Sequence, residues 1–239
     1  MIRELCQMNT LAINTTDQIL GVALLENEKV VGEYVTNVRQ GHAERLMPAI
    51  ANLMENVHWT PENIEKIVVA KGPGSYTGVR IGLTTAKSLA WALNIPIIGV
   101  SSIYALAYQA RFSGHLISPF FDARRNRVYT GLFQWTNGHL KTIKEERNIN
   151  MDDWLKSLAQ LNQQIVFLSP DLTIYKEEIL KVIGKQAMFF EGPYNIIQPA
   201  HLALASAGKT TDSVHTLVPN YLRLAEAEAN WLKEKDAQQ

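Results

Sequence analysis

The segment whose residue types come nearest to known site chemistry is a glycine-rich turn, Gly72-Pro73-Gly74-Ser75-Tyr76-Thr77-Gly78-Val79-Arg80. An apolar, strand-like run precedes it and a helical pattern follows it. That local order is typical of turns that bind phosphate through backbone N–H groups. The residues that could lie next to an anion or a nucleotide in such a turn are Gly72, Gly74, Ser75 and Thr77.

The residues within the turn nevertheless argue against phosphate chemistry. A P-loop continues its last glycine with Lys and Ser or Thr, whereas Gly78 is followed by Val79 and Arg80. Pro73 has no backbone N–H to donate, and the glycine spacing differs from that of a dinucleotide-binding fingerprint. The alternative is a tight turn that begins a closely packed helix. The residues favour this alternative, so we interpret the turn as docking architecture and not as a catalytic centre.

The other reactive residue types form no recognisable catalytic or metal-binding pattern in the sequence. No two histidines are three to five residues apart, which a zinc-type pair on one helix requires; they are His42, His58, His115, His139, His201 and His215. There is no Gly-x-Ser-x-Gly elbow and only one cysteine, Cys6. We therefore predict no catalytic residue, no metal and no cofactor, except for ATP or ADP held weakly or only at a partner interface.

Composition and charge are those of an ordinary globular chain. Of the 239 residues 46% are hydrophobic, and 23 basic residues balance 23 acidic ones, whereas a protein that holds nucleic acid alone normally has a basic surplus. Arg124, Arg125 and Arg127 form a local basic cluster, for which a solvated turn is favoured over a tRNA contact. The single cysteine and the lack of a long apolar run predict a reduced, cytoplasmic protein without a membrane span.

The elements around the turn follow one order twice. The first series is three strands, helix, strand, helix and strand, at residues 10–13, 19–25, 29–36, 42–57, 66–70, 77–93 and 96–100. After a short helix at 102–111, the second series is three strands, helix, strand and helix, at residues 116–121, 127–134, 140–146, 151–161, 165–168 and 172–183. We predict an α/β fold of two βββαβα lobes. The expected divisions are an N-terminal lobe at 1–103, a smaller lobe at 104–215 and a segment at 216–239, with a helix at 226–236, that packs back on the lobes.

The two long helices of the first lobe have wider apolar surfaces than packing on one sheet requires. On a helical wheel, the apolar residues of the helix at 42–57 span roughly 200°, against about 100° for a helix that covers one core. In the helix at 77–93, small residues recur every four positions and form a ridge that permits close approach of another backbone. Either both helices are sandwiched inside one subunit, or their outer faces form an interface with a partner chain. The candidate interface residues are Leu46, Met47, Ile50, Leu53, Met54, Gly78, Gly82, Ala86, Ala90 and Trp91.

Several segments together resemble the TsaB (YeaZ) family. The match begins near Met8, covers nearly the whole chain and keeps the family's order. The matching segments are residues 11–16, 42–48, 71–87, 99–102, 122–129 and 219–223. The string Gly-Pro-Gly-Ser-Tyr-Thr-Gly-Val-Arg is the most specific of them.

The resemblance implies an actin/Hsp70-like (ASKHA) duplicated fold and a non-catalytic, dimerising subunit. Members of this family pair with TsaD, the subunit that carries metal and nucleotide, and work with the ATPase TsaE. Together they support transfer of a threonylcarbamoyl group to the adenosine beside the anticodon of certain tRNAs. The resemblance further implies homodimers when TsaD is absent, contact with tRNA only through the complex, and a helical bundle with the partner built from the helices at 42–57 and 77–93.

One position departs from the family pattern. Asn14 stands where the family usually has Asp in an Asp-Thr-Ser turn, and residues 13–17 contain no glycine. Asp17 and Asp122 follow or end the first strands of the two lobes, where actin-like ATPases hold phosphate-binding turns. An independent actin-like ATPase or a metallopeptidase-like enzyme is the alternative function. The histidine spacing and Asn14 both weigh against it.

Overall fold

Two five-stranded sheets of the same topology organise the part of the chain that the computed structural model describes, residues 8–38 and 41–222. The first sheet contains β1 (Thr10–Asn14), β2 (Ile19–Glu26), β3 (Lys29–Asn37), β4 (Lys66–Ala70) and β5 (Ile97–Val100). The second contains β6 (Leu116–Asp122), β7 (Arg127–Thr136), β8 (His139–Asn150), β9 (Ile165–Leu168) and β10 (Ala187–Phe189). Their strand orders are β3-β2-β1-β4-β5 and β8-β7-β6-β9-β10. This repeat confirms the predicted duplicated, actin/Hsp70-like fold.

The helices lie between and outside the sheets. They are α1 (His42–Asn56), α2 (Tyr76–Leu93), α3 (Ser102–Ala107), α4 (Met151–Ala159), α5 (Leu172–Ile183) and α6 (Pro199–Leu204). Neither β10 nor α6 is predicted from the sequence, because runs of three and six residues are too short to show a period. The helix predicted at 226–236 lies outside the described residues. Within them, no helix has the length and apolar character that a membrane crossing needs.

Alternate residues of each strand belong to different cores, because successive side chains of a strand point to opposite faces of the sheet. Leu11 and Ile13 of β1 pack beneath α1 and α2, whereas Ala12 belongs to a core between the two sheets. A third core lies under α4 and α5, on the far side of the second sheet. The result is a stack of five layers, in which helices alternate with sheets.

The two helices of the middle layer, α3 and α6, each pack on a different sheet from the one that they follow in the chain. Helix α3 follows the last strand of the first sheet but packs on β6 and β7 of the second, and α6 follows the second sheet but packs on β1 and β2 of the first. Beyond α6, Asp212 forms a β-bridge with Ile97 of β5. The first sheet is therefore completed by α6 and Asp212, which follow the second sheet in the chain.

Candidate functional site

The glycine turn is closed by the loop that follows β1. The Ser75 N–H donates to the carbonyl oxygen of Thr16 at 2.6 Å, and the Thr15 hydroxyl donates to the carbonyl oxygen of Gly78 at 2.7 Å. A side chain at Gly74 or Gly78 would collide with the carbonyl oxygens of Thr16 and Thr15. Glycine is therefore required here because two stretches of backbone touch.

These contacts leave little of an anion cradle. A phosphate site turns free N–H groups toward its ligand, but carbonyl oxygens lie over Gly74 and Gly78, and the Ser75 N–H already has an acceptor. The Ser75 hydroxyl oxygen accepts from the Gly78 N–H at 3.3 Å and caps α2. Gly72 lies against the carbonyl oxygen of Asn220. Of the four residues predicted to lie next to an anion, Thr77 is exposed on the first turn of α2, and the other three make contacts within the chain.

Asn14, the last residue of β1, binds the loop that closes the glycine turn. Its side-chain Oδ1 accepts from the Thr16 N–H at 3.1 Å and from the Thr16 hydroxyl at 2.8 Å. The residue is completely buried, and its Nδ2 has no hydrogen-bond partner among the described residues. The two donors at Oδ1 would also serve the carboxylate of the family pattern, whereas the Asn14 amide nitrogen lacks an acceptor among the described residues.

Carboxylates gather where the two lobes meet. Burial, together with the like charge of Asp171, raises the pKa of Asp17 to about 7. In the other lobe, Asp171 accepts from the Asp122 N–H at 2.9 Å, and burial raises the pKa of Asp171. When these carboxyl groups are ionised, their charge opposes the approach of nucleotide phosphates. Among the described residues, no three His, Cys, Asp or Glu side chains are grouped so that they could hold a metal ion.

The small-residue ridge of α2 faces the chain's own sheet, which corrects part of the predicted interface. Gly78 and Gly82 lie over Thr15, and Ala86 and Ala90 are buried in the core beneath α2. The ridge does permit a close approach, but of α2 to β1 and its loop. A helical period shows that four residues share a face; it does not show which neighbour that face meets.

The apolar surface of α1 divides in the same way. Leu46, Ile50, Leu53 and Met54 are buried in the chain's own core, so their side chains are not available to a partner. Met47 remains 45% exposed and Trp91 of α2 71% exposed. The two interpretations of the wide helices thus apply to different faces: the inner faces are sandwiched in one subunit, and the outer faces are open.

The outer faces of α1 and α2 contain further exposed residues that the sequence-based list omits. Several of them are small and uncharged, and these are Ala43 and Ala51 on α1, and Thr84, Ser88 and Ala92 on α2. Spacings of four and eight residues put Ala43, Met47 and Ala51 on one stripe of α1, and a spacing of four puts Thr84, Ser88 and Ala92 on one stripe of α2. Those spacings, together with the small size of these side chains, were the available signal in the sequence.

A segment near the end of the described chain binds the start of α2. The Asn220 N–H donates to the carbonyl oxygen of Lys71 at 2.7 Å. The ring of Tyr221 stacks on that of Tyr76 with centroids 5.6 Å apart, and its hydroxyl accepts from Nε of Arg80 at 2.8 Å. The turn is therefore held from two sides, by the loop after β1 and by this segment. Sequence patterns do not reveal this pairing, because the partners are about 140 residues apart.

Comparison with known proteins decides the family. The family model described as "TsaD: tRNA N6-adenosine threonylcarbamoyltransferase" matches residues 29–231. A Bacillus subtilis protein named "tRNA threonylcarbamoyladenosine biosynthesis protein TsaB" is 45% identical over 228 residues, which are 95% of this chain and 100% of the relative. The chain belongs to the TsaB family. An Escherichia coli TsaB is 33% identical over 129 residues, 53% of this chain and 55% of that relative.

A solved structure supports the same fold for TsaB-family proteins. The structure titled "YeaZ from Pseudomonas aeruginosa" superposes with a TM-score of 0.75 at 22% sequence identity, and covers 90% of this chain and 99% of that one. Family membership confirms the resemblance that the motifs indicate. The partner-facing role of Met47 and Trp91 stays a prediction for this member of the TsaB family.

Proposed function

We propose that this chain is a non-catalytic subunit of a cytoplasmic complex that synthesises threonylcarbamoyladenosine in tRNA. The observation that carries the proposal is the open outer surface of α1 and α2, with Met47 and Trp91 exposed on it. The choice of threonylcarbamoyladenosine synthesis rests on the names of its relatives. A glycine turn closed by the chain's own carbonyl oxygens, beside an acidic junction between the lobes, is a poor phosphate site and supports a role other than nucleotide chemistry.

The proposed partner is the catalytic TsaD subunit, which would lay two helices against α1 and α2. Burying a large apolar side chain such as Trp91 releases water and stabilises the complex, and tryptophan is one of the residues most often dominant in an interface. The small residues Ala51, Ser88 and Ala92 allow helices to approach closely. The same surface forms a homodimer when TsaD is absent. The ATPase TsaE joins the pair, and tRNA is reached only through the complex.

The proposal is tested by substituting exposed apolar residues in two places. Met47→Asp and Trp91→Asp each place a charge on the proposed interface without touching the core, because both side chains are exposed. We expect each to weaken association with the TsaD subunit of the same organism by at least about tenfold, measured by calorimetry and by light scattering after size exclusion. The matched control is Ile174→Asp on α5, since Ile174 is 62% exposed in the other lobe.

Equal affinity of the parent chain, Met47→Asp and Trp91→Asp for TsaD, all folded, rejects the interface. Failure of the parent chain to bind TsaD at all rejects the subunit assignment. The independent-enzyme alternative is tested separately, by titrating the isolated chain with magnesium-ATP. Tight stoichiometric binding would favour an actin-like ATPase, and the closed turn predicts that it does not occur.

A further inference from the structure

The last described part of the chain, residues 217–222, lies along one side of α2. The Lys87 ammonium donates to the carbonyl oxygen of Leu217 at 2.9 Å, and Arg80 donates to the Tyr221 hydroxyl at 2.8 Å. Because Lys87 lies about two turns beyond Arg80 in α2, this segment runs antiparallel to the helix and ends beside its first turn. Residues 223–239, which lie outside the described part of the chain, therefore continue from the N-terminal end of α2.

Large apolar side chains are exposed from one end of this side of α2 to the other. Tyr76 is 52% and Val218 65% exposed, and Tyr221, which stacks on Tyr76, is 44% exposed. Trp91, one helical turn beyond Lys87, is 71% exposed. These residues form a surface that we call the α2 strip. Exposed apolar surface of this extent commonly marks an interaction site.

The charges of α2 all have one sign. Between Tyr76 and Leu93 the only charged residues are Arg80 and Lys87. The N-terminal end of the helix adds a partial positive charge beside Tyr76. An occupant of the α2 strip should therefore combine large apolar side chains with a carboxylate on the same face.

The sequence that directly follows residue 222 has this combination. Spacings of four, seven and eight residues from Leu224 reach Glu228, Trp231 and Leu232, and such spacings place residues on one face of a helix. This overlaps the helix that the sequence predicts at 226–236. Lys233 falls on the opposite face of the same helical wheel. The chain thus carries an apolar face with one carboxylate on it, attached beside a strip of the complementary kind.

The lengths of the two parts also agree. A helix of residues 224–232 would be about 14 Å long, whereas α2, with 18 residues, is about 27 Å long. A segment that starts beside Tyr76 therefore reaches the middle of α2, where Thr84 and Ser88 are exposed. Small side chains at these positions leave room for an indole ring such as that of Trp231.

We propose that residues 224–232 pack as an amphipathic helix on the α2 strip, with Trp231 over the middle of α2 and Glu228 facing its two basic residues. The chain then covers part of its own outer surface, and a partner that binds α1 and α2 must displace this segment. The packing does not depend on the function proposed above. Its effect on the binding of TsaD does rest on that function.

Cross-linking within the full chain tests the packing. Cys6→Ser removes the only cysteine, and Ala227→Cys is then combined with Thr84→Cys on α2 or, as the control, with Ile174→Cys on α5, both exposed positions. With a short bis-maleimide in dilute solution, we expect the first pair to link within one molecule at least about tenfold faster than the control pair. Adding Trp231→Asp should reduce the first rate to that of the control. Equal rates for the two pairs, or links only between two molecules, overturn the proposal.

Affinity for TsaD tests the consequence. A surface that is covered part of the time binds in proportion to the fraction that is free, so Trp231→Asp should raise the affinity for TsaD by about fivefold. Lys233→Asp, on the opposite face of the helical wheel, is the matched control and should leave it unaltered. A lower affinity of Trp231→Asp would mean that the segment binds the partner, and would overturn the proposal. If the parent chain does not bind TsaD, the subunit assignment fails, whereas the cross-linking result still decides whether the segment packs on α2.

Discussion

In each lobe the loop after the first strand contacts the turn that follows the fourth strand, and the two lobes make this contact through different groups. In the first lobe, the loop after β1 meets the turn between β4 and α2 mainly through backbone: Ser75 donates to Thr16, and glycine at position 78 lets the carbonyl oxygen of Thr15 come close. The Thr15 hydroxyl adds one hydrogen bond, to the carbonyl oxygen of Gly78. In the second lobe, the loop after β6 meets the turn between β9 and α5 through a side chain, because Asp171 accepts from the Asp122 N–H.

This difference shows how a duplicated fold can lose its sequence repeat. The strand order is the same in both halves, and each half must satisfy the polar groups where a loop meets a turn. Glycine satisfies these polar groups by letting the two backbones come into contact. Aspartate satisfies them with a side-chain carboxylate that accepts a backbone hydrogen bond from the other loop. The first solution tolerates no added atom, whereas the second tolerates any side chain with a suitably placed acceptor. The two joints should therefore differ in how strongly they respond to substitution.

Gly78→Ala should have the largest effect. The added methyl group would lie against the carbonyl oxygen of Thr15, so either α2 or β1 must move, and we expect a loss of about 4 kcal/mol in the free energy of unfolding. Urea denaturation measures it. The control is Gly114→Ala, which meets no atom within 4 Å and has a φ of +70°, so that only backbone strain of about 1 kcal/mol is added. Equal losses in the two variants would contradict the close-contact explanation.

Asp17→Asn tests the acid beside the first joint. The folded-state pKa of Asp17 is raised from 3.8 to about 7. A proton is therefore held by the folded chain and not by the unfolded one between these values, and stability falls as the pH rises through that window. Asparagine keeps an acceptor for the Ile19 N–H and cannot ionise. We expect the variant to be more stable than the parent by about 2 kcal/mol near pH 8.

Below about pH 4 the advantage of Asp17→Asn should vanish, because the aspartate is then protonated in both the folded and the unfolded state. Urea denaturation across this range measures the difference at each pH. A difference that is constant with pH would mean that the substitution acts through packing and not through charge.

Asp171→Ala tests the second joint and should have the smallest effect. It leaves the Asp122 N–H without its acceptor, and we expect a loss of about 1 kcal/mol in the free energy of unfolding. Asp171→Asn retains an oxygen acceptor and removes the charge that faces Asp17, so it should be close to neutral or slightly stabilising. If Asp171→Ala were as harmful as Gly78→Ala, the comparison between backbone and side-chain joints would fail.

Local patterns predicted the elements that are long and regular. The helical periods at α1 and α2 and the duplicated order of strands are confirmed, because both depend on spacing within a few residues. The short β10 and α6 escaped prediction, since their structure depends on the sheets they pack against.

The candidate site was less predictable than the fold. The glycine string fits both an anion site and a docking turn, and the positions of the Thr15 and Thr16 carbonyl oxygens, which favour the docking turn, are not visible in the sequence. The ridge at Gly78, Gly82, Ala86 and Ala90 was predicted to face a partner chain, whereas in the structure it lies on Thr15 and in the core beneath α2. Such neighbours are set by tertiary contacts between residues far apart in the chain, which a single sequence does not display.

Because of where α3 and α6 pack, the two halves of the chain depend on each other for folding. The inner face of the first sheet is covered by α6, which follows the second sheet in the chain. The inner face of the second sheet is covered by α3, which follows the first sheet. A chain cut between β5 and α3 would leave the first sheet without α6 in one fragment and would leave α6 without β1 and β2 in the other, so neither fragment should fold alone. The duplicated architecture is therefore expected to melt as one cooperative unit, with a single transition seen alike by calorimetry and circular dichroism.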